Sequence, residues 1–222
     1  MPGKLDGRPA IVTGAGAGIG RATAIALARE GAAVLCADVD EATAASVASE
    51  IAAEGGRAAA CRCDVSDSGS AKAAVEAAVA AFGGVQILVS GAAVFTENGS
   101  VDAIDEGEWH KAIAVNLTGS FLMCRHAVPH IRTAGRGSII LIASQMARVA
   151  NAGQAAYCTT KGGLLQLAKA MSLDHAAEGI RVNTLSPGGI ATQRMTRRFG
   201  DMETAQRIWG AKHPVGRLGE PE

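Results

Sequence analysis

Short apolar runs alternate with longer stretches in which small apolar residues recur at helical spacing. "PAIVTG" (9–14) reads as a strand entering a turn, and "GIGRATAIALARE" (18–30) as a helix that stops at Gly31. "AAVLCAD" (32–38) is a second buried strand, followed by a helix over 40–54 closed by Gly55 and Gly56. "RAAACRCDV" (57–65) is a third strand, and 66–83 a helix that begins on capping residues. "VQILVSGAAV" (85–94) contains a fourth strand and its exit loop, and 105–132 a helix with Pro129 near its end. "GSIILIAS" (137–144), a long helix over 154–178, and "IRVNTLSPGG" (180–189) complete the series. Such alternation predicts an α/β fold: a doubly wound, Rossmann-like parallel sheet with helices on both faces. Ligands of such folds bind beyond the carboxyl ends of the strands, where the strand order reverses.

Composition narrows the picture. The 222 residues suit one domain, 1–222, able to bury a core without staples. Apolar residues make up 48%, yet only 3% are aromatic and 28 residues are glycine, which favours close packing of helices on a sheet. Basic and acidic side chains each total 21, so nothing points to nucleic acid or an anionic membrane as partner. No apolar run is long enough to span a bilayer, and the first residues lack a secretory pattern, so the expected location is the cytoplasm. Five scattered cysteines, Cys36, Cys61, Cys63, Cys124 and Cys158, fit neither a disulfide framework nor a zinc site, so no metal is expected.

Two features carry chemistry. In "TGAGAGIG" (13–20), Gly14, Gly18 and Gly20 follow the first strand and open the first helix. There glycine permits a tight turn, and the helix start offers free N–H donors to a pyrophosphate. Asp38 ends the second strand, where a carboxylate can hydrogen-bond an adenosine ribose; the plainer alternative is a cap for the helix near residue 40. Asp64 carries a similar ambiguity, although Ser66 or Asp67 would cap better.

The second feature is "YCTTK" (157–161), which holds the only tyrosine of the chain and a lysine four residues on. That spacing places both on one helix face. A phenol ionises near pH 10, and bringing it to about 7 needs about 4 kcal/mol. An ammonium about 4 Å away at an effective dielectric near 20 supplies that much. Tyr157 and Lys161 thus make sense as a tuned general acid/base beside Ser144 at the end of the fifth strand.

The glycine spacing, "CDV" (63–65), "VNLTG" (115–119), Ser144, "YCTTK" and "RVNTLSPGGIAT" (181–192) together resemble a classical short-chain dehydrogenase/reductase over nearly the whole chain. The resemblance implies roles. Tyr157 exchanges a proton with the substrate oxygen, Ser144 hydrogen-bonds that oxygen, and Lys161 lowers the tyrosine pKa and holds the nicotinamide ribose. Asn116 supports a water-linked proton relay. Gly14, Gly18 and Ile19 line the pyrophosphate, Asp64 and Val65 the adenine, and Pro187, Gly188, Ile190 and Thr192 the nicotinamide. The implied activity is NAD-dependent interconversion of a secondary alcohol and a ketone by a homo-oligomer, dimer or tetramer, built on the long helices.

Two departures stand out. Where the family has Asn-Asn-Ala-Gly, this chain has "SGAA" (90–93), with Ser90 able to restore one hydrogen bond toward the cofactor. The chain also stops at "GRLGEPE", where the family adds a helix and a last strand. Gln154 is a candidate substrate-pocket residue. Residues 190–213 are expected to form a mobile lid, with Met195, Phe199, Met202 and Trp209 covering substrate. The five histidines read as surface or packing residues, and Arg21 as facing the pyrophosphate or solvent. Rival readings are a 3-oxoacyl-acyl-carrier-protein reductase, which normally takes NADPH and is disfavoured by Asp38, a nucleotide-sugar epimerase or dehydratase, and a non-catalytic NAD sensor.

Overall fold

On β1 (Pro9–Thr13), Ile11 points to one side of the sheet and Val12 to the other, and both are fully buried. This alternation fixes a three-layer arrangement. The structure is a computed structural model that describes residues 3–96 and 99–222. The other strands are β2 (Ala33–Asp38), β3 (Arg57–Arg62), β4 (Ile87–Ser90), β5 (Gly137–Ile142) and β6 (Ile180–Leu185). All pair in parallel, in the order β3-β2-β1-β4-β5-β6. Successive connections therefore run outward in opposite directions from β1 and β4, leaving a crevice above the carboxyl ends of those two strands.

One face packs Ile11, Leu35, Leu88, Ile139 and Leu141 against α3 (Ser68–Phe82), α5 (Gly119–Thr133) and α6 (Ala155–Asp174). The other packs Val12, Val34, Val89 and Ile142 against α1 (Gly18–Arg29) and α2 (Glu41–Ala53). The helical contribution is largely alanine, so the helices lie close to the sheet. Asp40 caps α2 by accepting from Ala42 N–H and Thr43 N–H, and Asp67 caps α3 through Ser70 N–H. Neither Asp38 nor Asp64 caps a helix, which removes the plainer reading of both. The side chain of Arg21 pairs with Glu50 on α2 at 2.6 Å rather than facing the pyrophosphate crevice.

The stretch expected as helical over 105–132 is one continuous helical run whose pitch changes part-way. The helix α4 (Glu106–Ala112) passes into a π-helical turn, Ile113–Thr118, before α5. The wider turn turns Asn116 inward to 1% exposure, where its amide finds backbone partners; residue spacing gives no sign of this. The helix over 154–178 ends instead at Asp174, and every run except that of β2 loses its last residues to the loops beyond the strand ends. Two helices fall inside the expected lid: α7 (Gln193–Phe199) and α8 (Met202–Trp209).

The turn after β1 and the segment after β4 are tied by Thr13. Its hydroxyl accepts from Gly91 N–H at 3.0 Å and Ala92 N–H at 3.2 Å, and the residue is fully buried. Thr13→Val keeps the shape and removes the acceptor. It should cost about 1–3 kcal/mol, read as a lower urea midpoint at unchanged m-value.

Candidate active site

The crevice is a cleft of ≈ 660 Å³ running from Asp38 to Tyr157. Its first wall is the turn between β1 and α1. Gly14 has φ +69° and a Cβ there would lie 2.9 Å from Ala92; Gly18 has φ +53°. A Cβ on Gly20 would run into the Gly14 carbonyl. The turn therefore folds only with these glycines. Ala17 begins α1 without a side-chain cap, and the first turn of that helix holds no acidic residue, so its N–H groups face the cleft unclaimed by a side chain. This donor set fits a pyrophosphate.

Asp38 closes the far end. One carboxylate oxygen accepts from Gly16 N–H at 2.9 Å and the other from Asp40 N–H at 3.1 Å, which fixes the group while leaving lone pairs for ribose hydroxyls. The Asp64 carboxylate accepts from Ser66, through its N–H at 3.0 Å and its hydroxyl at 2.6 Å, and these bonds hold its pKa below the usual range. Val65 packs on Gly119, where any Cβ would press into it at 2.6 Å. The carboxylates and the valine at this end of the cleft have the chemistry to fit an adenosine.

Beyond β5 lies the reactive end. Ser144, Tyr157 and Lys161 are 7%, 8% and 3% exposed, and all three line the cleft. Ser144 stands in extended backbone after β5 and its hydroxyl accepts from Met146 N–H at 3.1 Å. The Lys161 Nζ donates to the Ile142 carbonyl at 2.7 Å and lies 5.8 Å from the centre of the Tyr157 ring. Burial pushes the Lys161 ammonium down to about 7, helped by the charge of Arg194. Burial also pushes the Tyr157 phenol up, while hydrogen bonding to Ser144 and the charges of Arg194 and Arg198 pull it back. This corrects the expectation that Lys161 by itself brings the phenol toward neutrality: the helix-face pairing is present, but both groups are dry, and desolvation opposes both charged forms.

Gly14, Gly18, Ile19, Asp38, Asp64, Val65, Pro187, Gly188, Ile190 and Thr192 also line the cleft. Ser90, Asn116 and Gln154 do not. The Ser90 hydroxyl points behind the wall and donates to Ser120 Oγ at 3.1 Å, so it does not stand in for a lost asparagine at the cofactor face. Asn116 spends its amide on Val94, accepting from its N–H at 2.8 Å and donating to its carbonyl at 3.0 Å. Gln154 is buried beneath the lid; in the amide orientation that satisfies both groups, its oxygen accepts from both terminal nitrogens of Arg198 at 3.1 Å.

Sequence reasoning missed three contributors. Phe95 stacks on Tyr157 with ring centres 4.6 Å apart. Arg194 reaches from α7 to the Ala93 carbonyl at 2.6 Å. His213, taken as a surface or packing residue, accepts from Gly189 N–H at 2.6 Å and so braces the loop that carries Pro187 and Gly188. No local pattern marks any of the three. Among the expected lid residues, Met195 lines the cleft, while Phe199 and Trp209 pack on each other with ring centres 6.2 Å apart.

The family model for short chain dehydrogenases matches residues 8–203. The chain belongs to this family. It is 39% identical over 221 residues to a 2,5-dichloro-2,5-cyclohexadiene-1,4-diol dehydrogenase of Sphingobium indicum, covering 100% of this chain and 87% of that protein. It is 36% identical over 222 residues to a cyclohexanol dehydrogenase of an Acinetobacter species, covering 100% of this chain and 86% of that one. The crystal structure of gox2181 superposes with a TM-score of 0.92 at 33% identity, covering 98% of this chain and 85% of that one. As a short-chain dehydrogenase, the protein is an oxidoreductase acting on CH–OH groups. No helix among the described residues is long and apolar enough to cross a membrane, and no described cluster of His, Cys, Asp or Glu could hold a metal ion.

The depressed Lys161 gives a pH signature for folding. An unfolded lysine ionises near about 10.4, so between about pH 7 and about pH 10 the unfolded chain binds the extra proton. This group's share of stability is complete above that range and lost as pH falls through about 7. Lys161→Met should flatten the rise of the urea midpoint between about pH 7 and about pH 9. Equal slopes in the two proteins would show that Lys161 is not desolvated.

Proposed function

We propose that this short-chain dehydrogenase uses NAD to interconvert a secondary alcohol, most readily a cyclic one, and the corresponding ketone. One observation carries the reading: a single cleft joins the glycine turn and Asp38 to Ser144, Tyr157 and Lys161. The α1 N-terminus would hold the pyrophosphate, Asp38 the adenosine ribose, and the loop 187–192 the nicotinamide. Bound there, a nicotinamide dinucleotide supplies the acceptor for the carbinol hydride. In the alcohol-to-ketone direction, the Tyr157 oxygen takes the hydroxyl proton while the Ser144 hydroxyl donates to the substrate oxygen and orients it. Lys161 contributes positive charge behind the phenol, and the positive ring of the oxidised cofactor adds to it. Asn116 is a positioning residue: its two bonds to Val94 hold the segment that carries Phe95 onto the Tyr157 ring. The preference for cyclic alcohols draws on the activities of the two dehydrogenase relatives named above. We also propose that copies meet through α5 and α6, whose outer faces carry the exposed Phe121 and Leu173.

Turnover followed at the NADH absorbance, with cyclohexanol and related cyclic alcohols, tests the reading. Tyr157→Phe should lower kcat by at least about a hundredfold, because the proton-transferring oxygen is lost, while NADH still binds. A variant that keeps most of its kcat removes Tyr157 from the chemistry.

Asp38 decides the cofactor. Its carboxylate attracts ribose hydroxyls and repels a 2′-phosphate, a difference of up to about 4 kcal/mol at close range. The expected NAD preference in kcat/KM is roughly tenfold to a thousandfold, relaxed by Asp38→Ala. Equal use of NAD and NADP by the unaltered protein sinks this assignment.

A further inference from the structure

The reactive end of the cleft is covered by an aromatic and cationic stack. Phe95 lies on the Tyr157 ring at 4.6 Å, with the planes 24° apart. The Arg194 guanidinium lies 4.5 Å from the centre of the Phe95 ring. Arg198 stands nearby, 5.9 Å from Phe95, 5.5 Å from Phe199 and 5.2 Å from Trp209, with Gln154 accepting from it. Arg194 thus lines the cleft one aromatic ring away from the phenol assigned to proton transfer.

The partners of Arg194 leave most of it unspent. A guanidinium has five N–H donors, and here one hydrogen bond is made, from Nη2 to the Ala93 carbonyl. Among the described residues, no carboxylate pairs with Arg194, Arg197 or Arg198; every described ion pair lies elsewhere. The side chain is partly withdrawn from water, and burial together with the like charge of Arg197 pushes its pKa down. A half-buried cation with free, forked donors is matched by a planar anion. The two carboxylates that line the cleft among the described residues, Asp38 at the end of β2 and Asp64 after β3, lie toward the opposite edge of the sheet from β5, so they do not supply it.

We propose that Arg194 docks a carboxylate on the substrate, so that this chain acts on secondary hydroxy acids in preference to neutral alcohols. The inference rests on the proposed reading of the cleft as a site for NAD and a secondary alcohol. The carboxylate lies on the side of the substrate away from the carbinol carbon, about one ring width from it. Nη2 keeps the Ala93 carbonyl while the remaining edge of the guanidinium takes the two carboxylate oxygens. Arg198, steadied by Gln154, adds positive charge at the rim. One other anion has the chemistry to take the same donors: the pyrophosphate of the cofactor.

The test uses the full chain, with Arg194→Met keeping the apolar stem and Arg194→Lys keeping charge without the fork. Three quantities are measured: kcat and KM for cyclohexanol and for 4-hydroxycyclohexanecarboxylate, the NADH dissociation constant by fluorescence, and binding of unreactive cyclohexanecarboxylate to the NADH complex by calorimetry. The unaltered protein should favour the hydroxy acid. Arg194→Met should raise KM for the hydroxy acid by about tenfold to a hundredfold and abolish cyclohexanecarboxylate binding. Because the charge of Arg194 also acts on Tyr157 and Lys161, kcat should shift alike for both alcohols, whereas the cyclohexanol KM and the NADH affinity should change by less than about threefold, and Arg194→Lys should recover part of the KM loss. If Arg194→Met instead weakens NADH tenfold and raises KM for both alcohols alike, the anion is the cofactor's pyrophosphate and the proposal fails. If the unaltered protein neither favours the hydroxy acid nor binds cyclohexanecarboxylate, it fails as well. If neither alcohol is oxidised, the proposed function fails, while the calorimetric comparison of the unaltered and Arg194→Met proteins still decides whether Arg194 docks a carboxylate.

Discussion

The active site depends on how closely two stretches of backbone pass each other above β1 and β4. The Thr13 hydroxyl takes two N–H groups from the segment after β4, at 3.0 and 3.2 Å. Glycine at 14 and 91 leaves room for the approach, since a Cβ on either would meet the other segment at 2.9 Å. From that junction the segment runs on to Val94, which Asn116 grips through both backbone groups, and to Phe95 on the face of Tyr157. Thus a threonine in the first strand and an asparagine in a π-helical turn set the position of the ring that covers the phenol. Thr13 grips backbone N–H groups, so this junction does not depend on the side chains at 90 and 91.

Electrostatics at the reactive end follow from dryness. Tyr157 and Lys161 are buried, and burial favours the neutral form of each. The Ile142 carbonyl solvates the ammonium, but it is a single dipole and does not replace bulk water. A lysine held at about 7 is therefore responsive to any charge that enters the cleft. A positive charge brought close to the phenol would change its proton affinity far more in this dry pocket than in water.

The segment 190–213 adds charge as well as apolar surface. Its apolar residues partly pack on one another, Phe199 against Trp209, and so build a platform for Arg198. Arg194 and Arg197 of α7 then line the cleft, and His213 braces the neighbouring loop through Gly189. The result is a polarised cleft, with carboxylates after β2 and β3 and guanidinium groups over the end of β5.

Much of this was legible in the chain itself. Alternating apolar runs gave six parallel strands because strands buried on both faces need near-continuous apolar sequence. The glycine turn, Asp38, Ser144 and the Tyr157–Lys161 spacing were readable because each depends on local backbone geometry or helical period. The reading failed where partners come from distant segments. The π-helical turn, the burial of Ser90 behind the wall and the acceptor role of His213 have no local signature, since each is fixed by what packs opposite it. The direction of the Tyr157 shift belongs here too. Sequence spacing places the lysine, but only the packed structure decides how much water both groups lose, and burial is the largest influence on the phenol. Arg194 shows the same division: the sequence supplies a cation, and the fold carries it across the cleft to the Ala93 carbonyl and the Phe95 ring, because only tertiary packing brings those distant segments within reach.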